Sequence, residues 1–165
     1  QHIIASPPEQ LGEALLPYLR EAGLDPTDGP DLVKVAEGFH ERAETLSQMA
    51  ASARYCYEDF EAVDPPAAKK HLRPVILEPL RAVRDGLAGL PSWTKASIAS
   101  VIEETAESFE IKMGKLGQPV RVAVTGGSVS PPIDVTVYLV GRERTLQRLD
   151  KAIDFIEARA AGGQS

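Results

Sequence analysis

Seven residues between two apolar segments, Gly126-Gly127-Ser128-Val129-Ser130-Pro131-Pro132, offer the most distinctive chemistry in this chain. Paired glycines and paired prolines disfavour a regular element, so backbone N–H and C=O groups stay available beside two hydroxyls. Basic side chains bracket the loop: Lys112, Lys115 and Arg121 before it, Arg142, Arg144, Arg148 and Lys151 after it. Only Asp134, Glu143 and Asp150 oppose them over the same stretch. Free amides, hydroxyls and cations together suit a phosphodiester strand, which offers phosphates to the cations and base edges to the rest. A solvated helix face accounts for the charges equally well, so charge permits RNA binding here without demanding it.

Other reactive residue types are scattered. His2, His40 and His71 lie far apart and without ligands at metal spacing. Cys56 sits between two tyrosines and reads as a small buried apolar side chain, since no partnering base is visible for a nucleophile. Glu103, Glu104 and Glu107 fall on one amphipathic helix and read as its wet face. Gly114, Gly117, Gly126 and Gly127 match neither a Walker loop nor a dinucleotide fingerprint. No catalytic constellation emerges.

Length and composition bound what must hold the loop. A chain of 165 residues makes one domain or two small ones with a genuine core, and 43% hydrophobic with 25% charged residues is ordinary for a globular protein. No apolar run nears the roughly 20 residues a bilayer span needs, and no secretory signal is visible. One cysteine excludes an internal disulfide and a cysteine-cluster zinc site. These features point to the cytoplasm. The chain opens on Gln1 without an initiator Met and is read as a piece of something longer. The net charge of −6 is unevenly spread: residues 1–66 carry 13 acidic and 4 basic side chains, residues 67–165 carry 11 and 14. A locally basic face on an acidic protein can still steer a polyanion, with modest affinity and strong salt dependence.

The elements around these residues read mostly as helices. Pro7-Pro8-Glu9 opens an amphipathic segment with Leu11, Leu15, Leu16 and Leu19, ending near Gly23. After the turn cluster 25–30, Leu32, Val35, Ala36 and Phe39 begin a second helix expected to run to about Arg54. Tyr55, Tyr57 and Phe60 form an aromatic joint, and Asp64-Pro65-Pro66 marks a boundary. Residues 67–72 and 75–87 read as two short helices; Ser92 or Thr94 then caps a helix buried through Ile98, Val101, Ile102, Ala106 and Phe109. In the last third Val120, Val122 and Val124, and again Val135, Val137 and Leu139, alternate as strands do. A helix follows from Glu143 to Arg159.

Several runs then recur in one order: Arg54-Tyr55-Cys56-Tyr57-Glu58-Asp59-Phe60, Ala68-Lys69-Lys70-His71-Leu72-Arg73, Lys112-Met113-Gly114-Lys115, Gln118-Pro119, Val124-Thr125-Gly126 and Gly141-Arg142-Glu143-Arg144. They resemble the C-terminal region of bacterial glutamyl-tRNA synthetases, over essentially the whole chain. The resemblance implies an all-α fold, a two-part helical cage of the class I glutamyl-tRNA synthetase anticodon-binding domain type. Residues 1–63 would be a first subdomain, shortened at its N-terminus, and 64–165 a second. It also implies helix where the residue period says strand, and the helical reading is adopted here.

The implied function is recognition of the anticodon stem-loop of glutamate tRNA, as part of a ligase that attaches glutamate to that tRNA using ATP. Neither DNA nor membrane is implied as a partner, and a monomer is the expected state. Catalytic residues, cofactor and metal are expected to be absent from this part, with ATP and magnesium held by a catalytic domain elsewhere. Lys112-Met113-Gly114-Lys115 lacks the serine of the family's lysine-rich ATP loop, and the partner His-Ile-Gly-His-type motif is missing. Arg42, before Thr45-Leu46, takes the position that inspects the last anticodon base. Gln118, Arg121, Gly126, Gly127, Ser130, Pro131 and Ile133 take the positions that meet the other bases, with Pro131-Pro132 where relatives often carry one proline beside a small residue. Lys115, Arg142, Arg144 and Arg148 would hold phosphates. The plain structural alternatives are an Arg42 paired with Glu41 or Glu44, and an Arg121 bridged to Asp134. A rival of another class is a helical protein-interaction module whose groove is lined by Leu15, Leu19, Val35 and Phe39.

Overall fold

Among the residues described by the computed structural model, 8–40, 43, 45–60 and 63–162, regular structure consists of ten α-helices and two 3-10 turns, with no strand. The chain divides into two compact units, Gln1–Phe60 with Leu139–Gly141, and Glu61–Tyr138 with Arg142–Ser165.

The first unit contains α1 (Pro8–Glu21), α2 (Leu32–Phe39), α3 (Leu46–Ser52) and α4 (Arg54–Tyr57). Helix α1 stops where Gly23 turns left-handed at φ 81, letting Leu24 N–H reach the Leu19 carbonyl at 2.9 Å and Gly23 N–H the Arg20 carbonyl at 3.0 Å. Packing of α1 on α2 needs Gly12, where an added Cβ would lie 3.0 Å from the Val33 backbone nitrogen. Leu15, Leu19 and Val35 are 0% exposed and Phe39 is 1% exposed, so the residues expected to line a protein-binding groove form the core of this unit instead. Cys56 is fully buried, and the neighbouring Tyr57 donates its hydroxyl to the Pro30 carbonyl at 2.9 Å. The expected helix from Leu32 to Arg54 is broken. Thr45 adopts extended backbone and its hydroxyl accepts from Gln48 N–H at 3.1 Å, capping a new helix that the apolar period alone does not reveal.

The second unit holds α5 (Pro65–His71), α6 (Leu77–Ala88), α7 (Lys95–Ser108), α8 (Met113–Thr125), all but the last two residues of α9 (Ile133–Val140), and α10 (Arg142–Ala161). Pro65-Pro66 supply first-turn residues that need no N–H partner. Thr94 and Ser97 cap α7 reciprocally, at 3.0 and 3.1 Å, and Glu103, Glu104 and Glu107 lie on its exposed face as expected. The α10 helix packs on α6 and α8, burying Leu80, Val83, Leu87, Leu116, Val120, Leu149 and Ile156. The strand-like stretches are helical. In α8, Val120, Val122, Ala123 and Val124 are all buried, so apolar residues occupy nearly every side of the helix and Arg121 among them imitates a two-residue alternation.

Candidate nucleic-acid interface

Helix α8 delivers the loop. It ends at Gly126, whose φ of 83 places it in the left-handed region and whose N–H reaches the Val122 carbonyl at 2.9 Å. The Thr125 hydroxyl lies 2.8 Å from the Arg121 carbonyl and accepts from Gly127 N–H at 3.1 Å, turning the chain out of the helix. Asp64 N–H, at the start of α5, donates to the Gly126 carbonyl at 2.8 Å and fixes the loop's first residue from the other side.

One guanidinium organises the rest. Arg121 donates through Nε to Ser130 Oγ at 2.7 Å, through Nη1 to Gln118 Oε1, and reaches the Pro131 carbonyl through Nη2 at 3.5 Å. Gln118 donates in turn to the Ser128 carbonyl at 3.3 Å. Ser130 and Thr136 hydroxyls lie 2.9 Å apart, each 2.8 Å from the Pro131 carbonyl. Ser130 is 5% exposed and Thr136 0%, so this polar cluster is shielded from water, where a satisfied network rigidifies its surroundings. Ser128, Val129 and Pro132 stay exposed, Val129 at 76%, and a Cβ on Gly127 would meet nothing within 4 Å. The result is a stiff base with an open, backbone-rich tip.

The structure therefore brings together Gln118, Arg121, Gly126, Gly127, Ser130, Pro131 and Ile133, the last opening α9 and partly buried. Ser130 and Pro131 are buried, so they shape the loop from beneath. Asp134 makes no ion pair among the described residues, and the fork of Arg121 reaches Ser130 and Pro131 of the loop. Lys115 lies one turn before Gln118 on α8 and is exposed. Two of the remaining cations are engaged within the fold. Arg148 is 5% exposed and donates to the Val124 carbonyl at 2.7 Å, its charge drawn inward by a helix-terminal acceptor. Arg142 donates to the Leu90 carbonyl at 2.7 Å with its guanidinium 5.4 Å over the Trp93 ring, and Trp93 Nε1 donates to the Tyr138 carbonyl at 3.3 Å. Arg144 is partly buried. Arg42 lies outside the described residues.

Sequence reasoning missed Thr136 and Trp93. The only sign of Thr136 is a lone hydroxyl inside the run Val135-Thr136-Val137, and that of Trp93 is its being the sole tryptophan. Among the described residues no three His, Cys, Asp or Glu side chains gather as metal ligands would, and no helix is long and apolar enough to cross a membrane.

Fold and site define an all-helical recognition domain, built to display a loop from an arginine-centred base. The chain belongs to the anticodon binding domain family, whose model matches residues 10–153. Among solved structures it is similar to a glutamate tRNA ligase from Elizabethkingia meningosepticum in complex with its amino acid, with a TM-score of 0.82 at 22% identity, covering 91% of this chain and 30% of that one. A glutamate-tRNA synthetase from Elizabethkingia anophelis matches with a TM-score of 0.77 at 21% identity, over 91% of this chain and 29% of that one. The chain thus spans about 30% of the length of the ligases it matches, and at these identities the likeness is one of fold.

Proposed function

We propose that this chain reads the anticodon of glutamate tRNA on behalf of a glutamate–tRNA ligase whose glutamate- and ATP-handling part lies outside it. The observation that carries the reading is the loop 126–132, anchored by Arg121, Gln118, Ser130 and Thr136 with its tip turned outward. Unstacked bases are read on their pairing edges by amides, hydroxyls and guanidinium forks, and a stiff loop avoids an ordering cost on binding. Arg121 and Gln118 position the loop and are themselves partly exposed beside it. Lys115 supplies a nearby positive charge for phosphate, which positions the RNA without reading it. Arg42 is assigned the last anticodon base, where a planar guanidinium can donate twice to the O2 and N3 acceptors of cytosine. ATP and magnesium belong to the activation step in the rest of the enzyme, and no step here runs through them.

The test is binding of the chain to two anticodon stem-loops at about physiological salt, where phosphate contacts are already partly screened. One carries the glutamate anticodon, the other the same loop with its last C changed to G. Preference for the first is expected, and Arg42→Ala should erase about 1–3 kcal/mol of it, the scale of one good base contact. Equal affinity of the unmutated chain for the two RNAs would overturn the reading.

A further inference from the structure

At the far end of α5 lies a second cationic site, Lys69, Lys70 and Arg73, on the unit that displays the loop. All three side chains are exposed, and among the described residues none forms an ion pair. Their neighbours on the same unit behave differently: Arg81 is paired with Glu78 and Glu157, and Arg84 holds Asp150 at 2.9 Å. Cations at a helix C-terminus ordinarily serve the last carbonyls. Here that role is already filled, because Arg159 of α10 donates to the carbonyls of Ala68, Lys69 and Leu72 at 3.2, 3.3 and 2.7 Å. The three charges are left facing water.

Their distance from the loop follows from two fixed points. The start of α5 is tied to Gly126 by the Asp64 hydrogen bond, while α10 is pinned to Val124 by Arg148 and to the end of α5 by Arg159. Eleven residues of α10 separate those arginines, about 16 Å at 1.5 Å per residue. A nucleic-acid strand advances roughly 3.4 Å per nucleotide, so about five nucleotides bridge that span. Resting on the anticodon reading above, we infer that Lys69, Lys70 and Arg73 grip the phosphate backbone of the anticodon stem, extending the RNA contact beyond the loop.

The experiment measures affinity for the glutamate anticodon stem-loop across a salt series, for the unmutated chain and for the triple variant Lys69→Gln, Lys70→Gln, Arg73→Gln. Each lost phosphate contact lowers the slope of log affinity against log salt by about one, so a fall of two to three is expected, with preference over the last-base variant retained. The charge-preserving variant Lys69→Arg, Lys70→Arg should keep the full slope, and matching thermal unfolding of all three proteins excludes a folding defect. An unchanged slope in the triple variant overturns the stem-contact inference and leaves the corner to another partner, such as an acidic protein surface. An unmutated chain that binds without preference overturns the anticodon reading instead, and the slope comparison still judges the patch. A chain that binds neither RNA overturns both.

Discussion

Replacing Arg148 by Met separates a buried structural arginine from a phosphate ligand. The methionine keeps most of the aliphatic stem in place within the surroundings of α10, so cavity formation is small, and what disappears is the charged donor 2.7 Å from the Val124 carbonyl. Arg148 is 5% exposed and Val124 0%, so that carbonyl has no easy route to water; the variant loses a charge-assisted bond and strands an acceptor, together about 1.5–3 kcal/mol. In a protein of this size each kcal/mol moves Tm by about 2–4 °C, giving a drop of roughly 3–12 °C by circular dichroism. Urea unfolding should show a lower midpoint at constant m, the mark of a change in stability rather than in compactness. RNA affinity measured well below the new Tm should keep its salt slope, since no phosphate contact has been removed. Unchanged stability with a slope about one unit shallower would refute the reasoning and return Arg148 to the RNA.

Three further outcomes are expected. Thr136→Val keeps shape but removes the hydroxyl shared with Ser130 and Pro131; it should cost about 1–2 kcal/mol in urea unfolding and reduce the preference between the two stem-loops as the loop loosens, whereas unaltered preference would mean the network does not position the loop. Gly29→Ala should destabilise the first unit by about 1–3 kcal/mol in thermal unfolding, because the new Cβ would lie 2.0 Å from the Tyr57 ring, while the backbone φ of −103 itself permits alanine; native stability would mean that ring can move aside. Burial, and to a lesser degree Lys70, hold the His71 imidazole below its usual value, so the fold favours its neutral form; the stability this contributes is present above the unfolded value of about 6.5 and is lost as pH falls through the lower folded value. His71→Gln should therefore lose less stability than the unmutated chain between pH 7.5 and pH 5, and parallel losses would sink the argument.

Most of the helical order was legible in the chain itself. The apolar spacing of Leu11, Leu15 and Leu19, the proline pair opening α5, and the cap at Thr94 are local signals, and each forms the element it announces. Gly126 likewise marks the end of α8, because a left-handed residue after a helix favours glycine. Family likeness, through runs such as Gln118-Pro119 and Val124-Thr125-Gly126, pointed to the family that the chain belongs to and drew attention to the loop.

What packing decided lies where a local pattern serves two outcomes. The segments around Val122 and Val137 carry a two-residue alternation, yet they are helices because burial on nearly all sides leaves no polar face to set a period. The break before Thr45 came from a single cap, too weak a mark to outweigh a continuing apolar stripe. The fate of each arginine was likewise outside the sequence's reach. Arg121, Arg142, Arg148 and Arg159 all look like surface cations, but each reaches a backbone carbonyl distant in the chain or just beyond a turn. Lys69, Lys70 and Arg73 remain facing solvent. Residue type and spacing determined where positive charge was available; only the tertiary arrangement determined which charges were consumed within the fold, because folding brings backbone carbonyls at helix ends and in loops within hydrogen-bond reach of them.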